Sequence, residues 1–249
     1  MHGDHVLGLP GLVGSMNLLG RTKALVIHGP ANLERWLMEG LRLTESHLKF
    51  TIEFRPNTPI EETTIWSEDG ISVESTPVKH RIEAYAYRFR WMPMSRNVKK
   101  DKIDSFHLKR TEIIRLKKNV DVLREDGTFI EADEMCHPWA PALIYVFSGD
   151  TAPCQHLTRL AKGADLLYHE ATFSSSLAEK AKKTGHSTAI QAGLTAKEAR
   201  VKKLVLGHFS SRYRSPEILL QEANSIFGDS ELAIEGKTYT LCGPPHEFD

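Results

Sequence analysis

The sequence predicts a layered α/β domain, and three observations carry that prediction. Short apolar runs that read as buried strands recur at 71–78, 142–147, 165–168 and 203–207. Apolar residues at helical spacing fill stretches between and around them. Histidines and an aspartate stand just beyond the strand ends, where a rigid sheet presents chemically active groups.

The elements follow in chain order. Met1-His2-Gly3-Asp4-His5 leads into an apolar, glycine-rich stretch, Val6-Leu7-Gly8-Leu9-Pro10-Gly11. Two imidazoles and a carboxylate around a glycine that permits a sharp turn can converge on one dication. A solvated polar N-terminus is the alternative reading of the same residues. Pro30 fits a first helical position, with Leu33, Trp36, Leu37 and Leu41 at helical spacing behind it. The run 71–78 alternates and delivers His80; the run 142–147 leads into Ser148-Gly149-Asp150-Thr151. Pro153 is expected to start a helix that Gly163 ends, placing Leu157 and Leu160 on one face ahead of the strand at 165–168. Ser187 reads as the N-cap of a helix carrying Ala189, Ala192, Ala196 and Ala199, small enough to pack closely on a sheet. The run 203–207 delivers His208, and Ser215, Pro216 and Glu217 open a last helix through Leu219, Leu220 and Ile226. Taken singly, His80 and His208 read as readily as core or surface histidines, and Asp150 as a turn residue.

At 249 residues, with 41% hydrophobic and 26% charged, the chain is long enough to bury a sizeable core. Its 32 Lys and Arg balance 32 Asp and Glu, so any attraction to nucleic acid has to be local. Cys136, Cys154 and Cys242 lack metal-type spacing, suit a reducing, cytoplasmic compartment and read as small buried hydrophobes. The chain lacks the run of about twenty apolar residues that a membrane-spanning helix needs, and its N-terminus lacks a signal-peptide pattern. Between Trp91 and Pro141 the apolar pattern thins. Arg96, Lys99, Lys100, Lys102, Lys109, Arg110, Arg115, Lys117 and Lys118 crowd there against Asp101, Asp104 and Glu112. That run reads either as a solvated helix face or as a local phosphate-binding surface.

The ordered set His-x-Asp-His, His, Asp, His resembles the signature of the metallo-β-lactamase superfamily, and within it the chain resembles the ribonuclease Z family of tRNA 3′-processing endonucleases. The matching blocks are His2-Gly3-Asp4-His5 running into Gly8-Leu9-Pro10-Gly11, Phe147-Ser148-Gly149-Asp150-Thr151, and His169-Glu170-Ala171-Thr172-Phe173. His186-Ser187-Thr188 and His208-Phe209-Ser210-Ser211-Arg212-Tyr213 follow in family order. The resemblance implies an αββα sandwich and a pair of zinc ions. It assigns His2, His80 and Asp150 to one zinc and Asp4, His5, Asp150 and His208 to the other, with Asp150 bridging. Asp4 would orient the nucleophile, and His186 beside Glu170 would protonate the leaving 3′-oxygen, while His169 is structural. Arg212 would contact phosphate, and residues 92–140 would form a basic arm gripping precursor tRNA through Lys99, Lys100, Lys109 and Arg110. A homodimer is implied, each arm holding the tRNA cut by the partner. The product would be a tRNA with a free 3′-hydroxyl and a 5′-phosphorylated trailer.

The chain departs from the family pattern in two places. The family's leading His falls one residue before Met1, and the strands ahead of it have no counterpart. The sequence therefore reads as a single incomplete metallo-β-lactamase domain, 1–249, truncated within the first metal motif. A first zinc short of one ligand and weak activity are expected. In the arm, Phe106-His107-Leu108-Lys109-Arg110 stands where many members carry a Gly-Pro stretch. Two alternatives stay open: a superfamily hydrolase acting on a thioester, sulfate or small phosphodiester, and a catalytically impaired RNA-binding form.

Overall fold

The four apolar runs become strands of one sheet. The computed structural model describes residues 2–57, 60 and 62–241. In chain order its elements are α1 Gly3–Val6, α2 Gly8–Leu18, β1 Leu25–Gly29, α3 Leu33–Leu43, β2 Ile52–Pro56, β3 Thr63–Glu68, β4 Ile71–Pro77 and β5 Tyr85–Trp91. There follow α4 Lys100–Ser105, α5 Arg110–Lys117, β6 Val122–Leu123, β7 Phe129–Ile130, α6 Ala132–Met135, β8 Leu143–Phe147 and α7 Gln155–Leu160. The last are β9 Leu166–Glu170, α8 Ala178–Thr184, α9 Ala189–Ala199, β10 Lys203–Gly207, α10 Glu217–Asn224 and β11 Ser230–Leu232.

Among the described residues the main sheet runs β11-β10-β9-β8-β5-β4-β3. Strands β8 to β11 pair in parallel, whereas β8, β5, β4 and β3 pair antiparallel in succession. Two antiparallel steps restore direction, so β4 points the same way as β8. The carboxyl ends of β4, β8, β9 and β10 therefore share one edge of the sheet, the edge at which open α/β sheets place their ligands. His80, Asp150, Glu170 and His208 all sit at that edge because each ends or follows one of these strands.

Strands β9 and β10 bury Leu166, Leu167, Leu204, Val205 and Leu206. Near-continuous apolar strands of this kind mark a parallel sheet covered on both faces. Helix α9 presents Ala189, Ala192, Ala196 and Ala199 to the core, joined by Leu157 and Leu160 of α7 and Leu219 of α10. Full burial of each such leucine stabilises by about 1.5–3 kcal/mol. A second cluster, Val13, Leu37, Leu41 and Phe50, packs α2 and α3 against the separate parallel pair β1–β2.

Several expected boundaries move. The segment at His2 is not a sharp turn: His2 caps α1, and Gly3, Asp4 and His5 form its single turn. Helix α3 starts at Leu33 rather than Pro30, because the Pro30 carbonyl accepts the Leu33 N–H in a preceding turn. Helix α7 starts at Gln155, two residues after Pro153, with Cys154 as its cap. Thr188, not Ser187, caps α9: its hydroxyl accepts the Gln191 N–H while the Ser187 hydroxyl donates to the Thr151 carbonyl. Ile226 lies beyond the end of α10. Cys136 is buried, Cys154 is half-buried against the main core, and Cys242 lies outside the described residues.

The basic insertion is more than a solvated face. Helices α4, α5 and α6 and the hairpin β6–β7 enclose a small core of their own: Leu108, Leu116, Val122, Ile130, Met135 and Cys136. Arg96, counted above among the basic residues, is a structural member, only 6% exposed. Its guanidinium donates to the carbonyls of His137 and Cys136 and to Asn119 Oδ1, and it pairs with Asp133. Lys99 Nζ is engaged with the Glu134 carbonyl at 2.9 Å, and Lys102 pairs with Glu134. Lys100, Lys109 and Arg110 are exposed and, among the described residues, outside any ion pair.

Candidate metal centre

Asp150 is the point on which the site converges. It is 7% exposed, and its two carboxylate oxygens face different imidazoles: Oδ2 lies 3.0 Å from His5 Nε2 and Oδ1 lies 3.5 Å from His208 Nε2. Asp4 Oδ2 approaches the same His5 nitrogen at 3.6 Å. On the other side, His80 Nε2 lies 3.3 Å from His2 Nδ1. The donor atoms of Asp4, His5, Asp150 and His208 lie within 4.8 Å of one another, as do those of His2, His80 and Asp150. Asp150 belongs to both groups.

Backbone geometry holds these side chains in place. Gly149, at φ +59°, lets the chain turn beneath the Tyr85 carbonyl, where a Cβ would approach that oxygen to 2.6 Å. His208 itself adopts a left-handed backbone at φ +56°, which costs a non-glycine residue roughly 1–2 kcal/mol. Two contacts enforce it. The Tyr168 hydroxyl accepts the His208 N–H, and it fills the space beside Gly207 so closely that a Cβ there would lie 1.9 Å away.

The surroundings also fix which nitrogen of each ring is free. His80 Nδ1 donates to the Gly185 carbonyl at 2.7 Å, so its Nε2 carries the lone pair that faces His2. The Thr172 hydroxyl donates to Glu170 Oε2 at 2.8 Å and therefore accepts from His208 Nδ1, also at 2.8 Å, leaving His208 Nε2 free towards Asp150. Such outer hydrogen bonds orient imidazoles for metal ligation. Burial, and then the neighbouring His80, push His2 below the ordinary histidine value, favouring the neutral ring a metal requires. This mixed nitrogen and oxygen donor set, with tautomers preset, fits zinc, manganese or iron.

Glu170 is a fully buried hub. Its carboxylate accepts from the backbone N–H groups of Thr151, Thr172 and Ser187, from the Thr172 hydroxyl and from His186 Nδ1 at 2.8 Å. Burial alone would raise its pKa, but His186 and these donors outweigh burial and hold it below the usual carboxylate range. Reciprocally, burial opposes protonation of His186, and the Glu170 carboxylate overcomes this and raises it. The His186 ring stacks on His208 at 5.2 Å between centroids and meets His80 edge-on at 5.0 Å. His169 is fully buried and donates from Nδ1 to the Glu170 carbonyl. Arg212 lies with its guanidinium 5.0 Å above the Phe173 ring.

Known proteins share this fold. The short form of human tRNase Z superposes with a TM-score of 0.64 at 22% identity, covering 97% of this chain and 76% of that one. YhfI of Bacillus subtilis, a metallo-β-lactamase fold protein, gives 0.60 at 18% identity, covering 95% and 73%. These likenesses establish the fold. Ribonuclease Z of Phocaeicola vulgatus is 37% identical over 235 residues, which is 94% of this chain and 76% of that protein. Ribonuclease Z of Cytophaga hutchinsonii is 37% identical over 239 residues, 95% of this chain and 76% of that one. The chain belongs to the ribonuclease Z family. No protein-family model matches it. As a ribonuclease Z it is a metal-dependent endoribonuclease, a hydrolase of the metallo-β-lactamase fold.

Of the residues singled out from the sequence, His2, Asp4, His5, His80, Asp150 and His208 are brought together, with Glu170 and His186 beside them. Lys99, Lys100, Lys109 and Arg110 belong to the arm and not to this cluster. Sequence reasoning gave no role to Thr172, although a signal was available. Glu170 and Thr172 are two apart at the end of an extended strand, the spacing that puts side chains on one face.

Proposed function

We propose that this ribonuclease Z removes the 3′ trailer from precursor tRNA, and the observation that carries the proposal is the Asp150 carboxylate shared by two imidazole groups with the Glu170–His186 pair alongside. His2, His80 and Asp150 would hold one zinc ion and Asp4, His5, Asp150 and His208 the other. Bound there, the pair of metals supplies a water of lowered pKa and charge neutralisation on the phosphodiester.

The chain's own residues do the remaining work. Asp4, exposed beside His5, accepts a proton from the attacking water. Water oxygen bonds to phosphorus as the bond from phosphorus to the 3′-oxygen of the tRNA breaks. His186, held by Glu170 at Nδ1, gives a proton from Nε2 to that leaving oxygen. The products are a tRNA with a 3′-hydroxyl and a trailer with a 5′-phosphate. Residues 92–140 act as the arm, with Lys100, Lys109 and Arg110 on tRNA phosphates and Lys99 shaping α4 beneath them. Arg212, steadied on Phe173, contacts phosphate nearer the centre. The protein works in the cytoplasm as a homodimer, and among the described residues no helix is long and apolar enough to cross a membrane.

The test is a 3′-extended precursor tRNA incubated with the protein and zinc, with both product ends mapped. A 3′-hydroxyl on the tRNA and a 5′-phosphate on the trailer support the proposal; opposite ends, or an intact precursor, refute it.

A further inference from the structure

The loop that delivers His80 continues into Arg81, an arginine to which neither the sequence nor the mechanism above gives work. His80 is half-buried, whereas Arg81 is exposed at the same carboxyl edge of the sheet. Among the described residues Arg81 enters no hydrogen bond or ion pair. The nearest acidic neighbour in sequence, Glu83, is already engaged: its Oε1 accepts the Tyr85 hydroxyl at 2.5 Å.

The Arg81 charge is not stretched away into solvent. It acts on two rings on opposite sides of His80. At His2, after burial and His80, it is the next influence opposing protonation. At His186, where burial and the Glu170 pair come first, it also opposes protonation. Both rings lie 5.0 Å from His80 between centroids. A guanidinium felt at both hangs over the mouth of the cluster on the His80 side. Arg212, on Phe173, stands beside His186, whose ring lies 6.2 Å from that of Phe173. The scissile phosphate's own oxygens would be taken by metals in the reading above, which leaves the neighbouring phosphates of the strand without a counter-charge. An unpaired planar fork at the lip matches such a group.

We propose that Arg81 is a substrate-binding residue that grips an RNA phosphate adjacent to the scissile one, positioning the strand across the metal-binding groups. The proposal rests on the ribonuclease reading above and names a contact within it.

Arg81→Met and Arg81→Lys test it in the full chain with zinc. Binding of precursor tRNA is titrated at several salt concentrations, and kcat/KM is measured on precursor tRNA and on bis-p-nitrophenyl phosphate, which has no flanking phosphate. For Arg81→Met the slope of log affinity against log salt should fall by about 0.7. Its loss on RNA should exceed its loss on the small diester by about tenfold or more, with Arg81→Lys recovering part of it. Bound metal per chain should match the unaltered protein, since the side chain is not a ligand. Equal losses on both substrates, an unchanged salt slope or loss of metal overturns the proposal. Failure of the unaltered chain to cleave precursor tRNA refutes the substrate reading separately, because the slope is read from binding. Absence of RNA binding refutes both.

Discussion

The Thr172 hydroxyl lies 2.8 Å from His208 Nδ1, and because it spends its only proton on Glu170 it fixes the tautomer of that histidine. A residue that touches no metal-binding atom thus presets one that faces Asp150. Thr172→Val keeps the shape and removes the link. Metal affinity, read by competition with a chelator, should fall about 10- to 100-fold, and Thr172→Ser should restore most of it. Wild-type affinity in the valine variant would show that the hydroxyl is not needed.

His186 makes a different prediction, because it is held by Glu170 rather than by the metal-binding groups. His186→Ala should lower kcat on precursor tRNA by about 10²- to 10⁴-fold. Bound metal and RNA affinity should stay near those of the unaltered protein. A parallel loss of metal would make His186 a support of the cluster and not the proton donor.

These relations mark what was legible in the sequence. The strands were, since runs such as Leu204-Val205-Leu206 are buried on both faces and leave an unbroken apolar stretch. The ligand types were legible from their order along the chain. Helix starts were not, because tertiary partners decide them: Ser187 could have capped α9, but its hydroxyl is taken by the Thr151 carbonyl 36 positions away. The arm was only half legible. Its small core draws on Leu108, Leu116, Val122, Ile130 and Met135 at irregular spacing, so no period announced it. A count of basic residues also cannot distinguish the buried Arg96, clasped by carbonyls, from the exposed Lys100.

That distinction gives the arm its own prediction. Replacing Lys100, Lys109 and Arg110 together by Gln should reduce the salt slope of precursor-tRNA binding by roughly 0.7 to 0.9 for each phosphate that is no longer neutralised. Arg96→Gln should instead weaken amide protection throughout residues 96–137, since it frees two carbonyls and Asn119. An unchanged slope in the triple variant would leave the arm as a solvated surface.

Within the arm, Glu112 is held down to about 2 by hydrogen bonds from the Arg124 guanidinium and the Lys109 backbone N–H, together with their charges, against an opposing effect of burial. A carboxyl lowered in the folded state adds stability that is complete above its ordinary value of 4.5 and is lost as pH falls towards about 2. Hydrogen exchange in the full chain should therefore show arm protection declining over that window. In Glu112→Gln protection should be lower at neutral pH and its decline shallower. Identical pH profiles for the two proteins would dissociate Glu112 from arm stability.

The most direct test of the whole account is Asp150→Asn, the one substitution that touches both metal-binding groups. Precursor-tRNA cleavage and bound zinc per chain are to be measured side by side with the unaltered protein. The account predicts that cleavage is abolished and that zinc is lost from both groups, while the salt-dependent binding of tRNA by the arm persists. Cleavage at the unaltered rate with zinc retained would contradict it.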